Sequence, residues 1–159
     1  VFVLSNKNPI RIINMKIVLQ RVREAEVTVA GESISQIGRG LLLLLGVDNG
    51  DDGSQIPWLA KKVSELRIFP DKAGKMNLSV KDVGGEILLV SQFTLSANIE
   101  RGRRPDFFTA AEPEKGERLY LEFARELEKN GIIPKLGIFG ANMQVSLIND
   151  GPVTFVMER

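Results

Sequence analysis

The chain contains no cysteine and no histidine in its 159 residues. Without cysteine there is no disulfide framework, no thiolate nucleophile and no sulfur ligand for zinc. Without histidine the commonest general base and the commonest metal ligand are gone, and with them every Ser-His-Asp or Cys-His arrangement. Any catalysis has to use other groups. Long apolar runs are also missing: Leu41-Leu42-Leu43-Leu44-Leu45 stops at Gly46 and Asp48, far short of the roughly 18 to 20 residues that span a bilayer. Excess charge of either sign is lacking too. The net charge is +1, but Lys7 and Arg11 fall in the first 14 residues, which hold no acid, leaving 19 basic against 20 acidic groups in the rest. Contact with RNA would therefore need a local patch, because phosphate binding depends on lysines and arginines at the contact surface. The absence of cysteine fits a cytoplasmic setting.

What is present suits one compact domain, since 43% of the residues are hydrophobic and a chain of this length can bury most of its apolar surface. Residues 1–14 (VFVLSNKNPIRIIN) carry no sustained pattern and precede a strand-like run at Met15. They are expected to be an upstream or vector-derived extension, with a native extension as the alternative. A single domain is expected over residues 15–159.

The runs Lys16 to Val22, Glu26 to Val29, Ser33 to Ile37 and Leu41 to Val47 are β-rich and are punctuated by Gly31, Gly38, Gly40 and Gly46, which predicts an opening antiparallel meander. After the loop Asp48 to Gly53, the spacing of Ile56, Leu59, Ala60, Val63 and Leu66 predicts a helix to about Arg67, with Pro57 in its first turn. Glu86 to Phe93 (EILLVSQF) reads as a buried strand with a polar end. Pro113 opens the clearest helix, with Leu119, Tyr120, Phe123, Ala124 and Leu127 on one face before Gly131 and Pro134. Met143 to Ile148 and Val153 to Val156 read as two strands separated by a turn at Asn149-Asp150-Gly151-Pro152. The class is mixed α/β.

Three segments carry polar or special residues where chemistry could sit. Arg101, Arg103 and Arg104 form the densest positive cluster, followed at once by Phe107-Phe108; this is either a phosphate-binding loop or a solvated loop beside two core phenylalanines. Ser91-Gln92-Phe93-Thr94-Leu95 puts hydroxyls, an amide and an aromatic where a buried strand ends and main-chain N–H groups leave the ladder. A plain strand end is the simpler account. Asn149-Asp150-Gly151-Pro152 is first of all a turn. A dinucleotide fingerprint fails at Gly38-Arg39-Gly40, where Leu43 replaces the third glycine, and a calcium loop fails at Asp48 to Gly53, where Gly50 and Leu59 occupy ligand positions.

Taken together, SQFTL at 91–95, GRRPDF at 102–107, FGANMQVSL at 139–147 and NDGPVT at 149–154 resemble, in order and spacing, the D-aminoacyl-tRNA deacylases (D-tyrosyl-tRNA(Tyr) deacylases). QRV at 20–22 and LRIFPDKAGKMNLSV at 66–80 extend the resemblance over essentially all of residues 15–159. It implies a barrel-like sheet with two to three flanking helices. It also implies a cofactor-free and metal-free homodimer that removes D-amino acids, and glycine mischarged on tRNA(Ala), from tRNA.

By the same resemblance, Ser91, Gln92, Phe93 and Thr94 line the reaction centre, and the main-chain N–H groups of Phe93 and Thr94 hold the ester carbonyl oxygen. Gly151-Pro152 of one subunit, in cis, enters the pocket of the other and excludes L-amino acids through rigid main-chain carbonyls. Arg21 supports that loop. Phe139, Gly140, Ala141 and Met143 form the wall near the terminal adenosine, and Arg101, Arg103 and Arg104 meet tRNA phosphates. A threonine nucleophile needs an adjacent base, and histidine is not available for it. Two other readings remain: a non-catalytic nucleic-acid-binding module on the same fold, and an editing domain for an L-amino acid, which would be expected to lack the Gly-Pro pair.

Overall fold

A computed structural model describes residues 14–100 and 102–159. Most of the expected extension, residues 1–13, lies outside the described residues, as does Arg101. Alternating apolar side chains make residues Lys16–Val29 a single strand, β1, which buries Ile17, Leu19, Val22, Ala25 and Val27. The sequence suggests two strands here, Lys16 to Val22 and Glu26 to Val29. The buried positions change phase between Leu19 and Val22 and again between Val22 and Ala25, and irregular pairing over residues 20–24 absorbs both changes, so the strand continues.

The turn Ala30-Gly31, both residues at positive φ, returns the chain as β2 (Glu32–Ile37), and β3 (Gly40–Gly46) follows. The two take the same edge of β1 in succession, with Ala25 opposite Ile37 and Val22 opposite Gly40. This departs from the expected meander, in which β3 would pair with β2. After α1 (Ile56–Glu65) comes a small hairpin, β4 (Phe69–Pro70) and β5 (Met76–Leu78), which the apolar pattern does not signal. Strand β6 (Glu86–Ser91) lies parallel to β3, and the two-residue β7 (Lys135–Leu136) lies parallel to β6 beyond the second helix, α2 (Pro113–Lys129). The last strand, β8 (Met143–Glu158), runs antiparallel along the other edge of β1.

The sheet wraps until β7 approaches β2, and side chains close the seam. Ser35 Oγ donates to Leu136 O at 2.6 Å and Lys135 Nζ to Gln36 O at 2.7 Å. Lys135 also pairs with Glu86 at 2.9 Å, and the Gly38 N–H donates to the same carboxylate. The Lys135 hydrogen bond and then the Gly38 N–H hold the Glu86 carboxyl below its usual range. The result is a mixed α/β fold, a nearly closed barrel flanked by two α-helices.

Both faces of the central strands are covered, which explains their unbroken apolar sequences. Leu41, Leu43, Ile87 and Leu89 pack with Leu59, Val63, Leu119, Phe123 and Leu127 of the helices. Leu42, Leu88 and Val90 point the other way and pack with Val22, Ala25, Val27 and Ile37 inside the barrel. Each such side chain contributes about 1.5 to 3 kcal/mol of burial. Helix α2 starts on Pro113, whose missing N–H costs nothing at that position, and stops before Gly131 at φ +88°. Among the described residues no helix is long and apolar enough to cross a membrane.

The parallel pairing of β3 with β6 brings two main chains close at Gly40. A Cβ there would overlap the carbonyl oxygen of Glu86 and lie 2.8 Å from its carbonyl carbon and its nitrogen. At Gly38 a Cβ would meet only the Glu86 carboxylate, at 3.8 Å. Gly40→Ala should therefore cost about 3 kcal/mol or more in urea unfolding, at the upper end of overpacking effects, and Gly38→Ala under about 1 kcal/mol. Equal midpoints for the two variants would contradict this account of the β3–β6 contact.

Candidate functional site

Strand β6 ends at Ser91, whose ladder partner is Leu45, and the Gln92 N–H makes one more bond to Leu45 O at 2.8 Å. The chain then tightens into a single 3-10 turn, Phe93–Ser96, which begins at the residue where the sequence suggests that the strand ends. The turn sits over Gly46: a Cβ at that position would lie 2.8 Å from Leu95 Cβ and 3.1 Å from Gln92 O. The first N–H groups of a helical turn have no partner inside it. Accordingly, those of Phe93 and Thr94 make no hydrogen bond among the described residues, while the Leu95 and Ala97 N–H groups bond back to Gln92 and Thr94.

The far end of this turn is tied down from beneath. Ser96 is fully buried and its hydroxyl donates to the Asp48 carboxylate, which also receives Lys16 Nζ at 2.7 Å. Ser96 O accepts from Thr109 Oγ1 at 2.6 Å, and Asn49 N–H donates to Thr109 O at 2.7 Å. Asp51 takes the Asp48 N–H and the Gln55 amide, and burial raises its carboxyl above the ordinary value. The segment Asp48 to Gly53, which looks like a solvated loop in sequence, thus buries two carboxylates. Their polar partners offset the cost of removing them from water.

Above this framework lies a cleft of about 640 Å³. Ser91, Gln92 and Phe93 line one part of it, and Phe139, Gly140, Ala141 and Met143 line another. Tyr120 supports Phe139 from behind at 6.0 Å between ring centres. Its hydroxyl donates to Leu89 O, and burial pushes its pKa well above the ordinary phenol value. A third side, Phe107 and residues 110–113, is not anticipated from sequence. Phe107 packs on Phe93 at 5.1 Å, and Phe108 is 87% exposed, so neither is the core residue that a plain loop would supply. The placement of Phe107-Phe108 just beyond the arginines is the one signal that could have marked this wall.

The structure brings together seven of the expected site residues and leaves the others elsewhere. Thr94 is exposed just beyond the cleft, and its hydroxyl oxygen accepts from the Gln92 amide at 2.5 Å; no carboxylate or amine reaches it among the described residues. Arg103 and Arg104 are exposed in the loop between Asn98 and Asp106, whose main chains bridge. Among the described residues no group of three or more carboxylates comes together to hold a metal ion.

Gly151 and Pro152 lie in β8, outside the cleft of their own chain, and the peptide bond between them is cis. The sequence suggests a turn between two strands, but β8 is one strand interrupted by an excursion. Gln20 faces Thr154 and Val22 faces Asn149, so residues 150–153 stand opposite Arg21 alone. Arg21 Nε donates to Asp150 O at 2.9 Å and pairs with its carboxylate at 3.1 Å, while the other end of the guanidinium donates to Ile68 O. The guanidinium also lies 6.0 Å from the Phe69 ring centre.

Residues 18–158 match the family model described as D-Tyr-tRNA(Tyr) deacylase. The chain belongs to this deacylase family. It is 55% identical over 145 residues to a protein of Pelobacter propionicus named D-aminoacyl-tRNA deacylase, covering 91% of this chain and all of the other. A protein of the same name from Geobacter metallireducens is 57% identical, over 91% of this chain and 95% of that one. Among solved structures, one described as c-Myc DNA Unwinding Element Binding Protein is 45% identical with a TM-score of 0.85, covering 91% of this chain and 98% of its own. A probable eukaryotic D-amino acid tRNA deacylase, 16% identical with a TM-score of 0.78, covers 92% of this chain and all of its own and shares the fold.

Proposed function

We propose that this chain hydrolyses the ester between a D-amino acid and the terminal ribose of tRNA, releasing free tRNA and D-amino acid. The observation that carries this reading is the pair of main-chain N–H groups at Phe93 and Thr94, without a partner among the described residues, where the 3-10 turn leaves the cleft-lining strand. Two such donors suit a carbonyl oxygen that becomes negative as water attacks, and each is worth roughly 10² to 10³ in rate. Phe139 to Met143 would take the terminal adenosine. The hydroxyl next to the ester on the ribose would help deprotonate the attacking water, and the ester oxygen would leave with a proton as the ribose hydroxyl. No cofactor is required.

Selectivity is assigned to Gly151-Pro152 of a second copy of the chain, in a cytoplasmic homodimer. Two features support this: the pair is exposed away from its own cleft, and among the described residues β8 pairs on one edge only while exposing Ile148, Phe155 and Val156. Rigid carbonyls from the partner would meet the side chain of an L-amino acid and pass a D-amino acid. Glycine has no side chain to exclude, so glycyl-tRNA(Ala) is a further substrate. A binding-only role is favoured by the exposed Arg103 and Arg104 and by the likeness to the c-Myc DNA Unwinding Element Binding Protein, and it predicts no hydrolysis.

Hydrolysis of D-tyrosyl-tRNA should exceed that of L-tyrosyl-tRNA by orders of magnitude, and activity should fall on dilution to concentrations where sedimentation finds single chains. Equal D and L rates, or a fully active monomer, would remove the cross-subunit selector. Replacing Arg103 and Arg104 together with alanine should weaken charged-tRNA binding and lower its salt slope by about one unit per lost phosphate contact. An unchanged salt slope would return these arginines to an ordinary loop. Thr94→Val keeps the main-chain N–H and the branched shape, so its single-turnover rate should stay within about a hundredfold of the parent, on the order of 3 kcal/mol or less. Substrate lacking the vicinal ribose hydroxyl should lose more. An inactive variant with an unaffected deoxy substrate would make Thr94 the nucleophile.

A further inference from the structure

The excursion in β8 has almost no main-chain pairing of its own, because residues 150–153 face one position of β1. Arg21 holds one side of it through Asp150, whose carboxylate the exposed Arg23 also meets at 3.6 Å. A further restraint is Asn149, at the neck, whose single amide nitrogen donates to two carbonyls at 3.1 Å each: Arg21 O across the sheet and Val153 O at the returning end. Val153 is 3% exposed and sits in the main core, so this second bond ties the neck to a rigid point. The amide oxygen fills the space inside the excursion: a Cβ at Gly151 would overlap Asn149 Oδ1 and lie 2.8 Å from Val153 N. Asparagine at 149 and glycine at 151 therefore fit each other.

We infer that Asn149 is a specificity-determining positioning residue: by drawing the neck of the excursion closed, it fixes the height at which the Gly151 and Pro152 main chain projects. This inference rests on the selector reading above, in which those carbonyls exclude L-amino acids. The chemistry of the side chain is specific. Its amide carries two donor hydrogens on one nitrogen and so serves two carbonyls at once. Aspartate has the same shape but only acceptors, and would set a negative oxygen against both carbonyls. Alanine leaves both carbonyls to water and opens space beside Gly151. Either change lets the excursion widen without touching the Phe93–Ser96 turn or the cleft wall.

Discrimination, rather than rate, should move. For Asn149→Asp and Asn149→Ala, kcat/KM on D-tyrosyl-tRNA should stay within about fivefold of the parent. Hydrolysis of L-tyrosyl-tRNA should rise, so that the D-to-L ratio falls at least tenfold in both variants. Two variants of opposite polarity keep the test decisive if one fails to fold. An unchanged ratio in the folded variants would overturn the inference, as would loss of D and L activity in step, which marks a general structural role. Parent protein measured beside them separates the two levels of argument. A parent that does not discriminate sinks the selector itself, whereas a discriminating parent with equally discriminating variants sinks only the part given to Asn149.

Discussion

Strand β1 is hydrogen-bonded on both edges, and this double pairing governs where everything else can stand. Because side chains alternate across a strand, a partner can shift only by breaking the burial pattern on both faces. Leu19 and Val22 are both fully buried, so the chain must change phase between them, and that is where the regular pairing with β8 lapses. Arg21 falls in the lapse. The excursion bearing Gly151-Pro152, the carbonyl of Ile68 just before the hairpin and the aromatic ring of Phe69 all gather on this one partly buried guanidinium. A defect in the ladder thus becomes the mounting point of a protruding loop.

The cleft lies on the opposite logic, at the end of a strand instead of within one. Gly46 lets the turn after β6 settle on β3, and the buried Asp48 carboxylate anchors that turn through Ser96. Lys16 neutralises the charge from the first residue of β1. Three segments far apart in sequence, around residues 48, 96 and 109, are joined by polar contacts that need every partner in place. Polar groups here serve to hold a main-chain geometry and are withdrawn from the cleft itself.

Much of the fold is legible in the sequence where one physical signal acts alone. Helix α2 shows a clean apolar face between Pro113 and Gly131, and the buried strands at Leu41–Leu45 and Ile87–Val90 are apolar on both faces. Legibility fails where tertiary contact overrides local pattern. The two residues of β7 are too few to carry any period, and the pairing of β2 and β3 with one edge of β1 is set by wrapping of the sheet. The site divides the same way. Ser91 to Phe93 and Phe139 to Met143 stand out as polar or glycine-bearing interruptions of apolar strings. The third wall at Phe107 and residues 110–113 does not, because aromatic and small apolar residues look alike in sequence whether they line a core or a cleft. Arg21 is visible only through family resemblance, since nothing local distinguishes an arginine that braces a loop from one in water.

The unpartnered groups at residues 93 and 94 belong to the peptide backbone, and every amino acid but one supplies them. Side-chain replacement at these positions can change how snugly a substrate fits, yet it cannot delete the donors. Only proline can. Drift in the lining of such a cleft is therefore free to retune what enters while the groups proposed to meet the reacting oxygen stay in place, and the feature most exposed to damage is the length of the segment, because one inserted or deleted residue would turn both N–H vectors away.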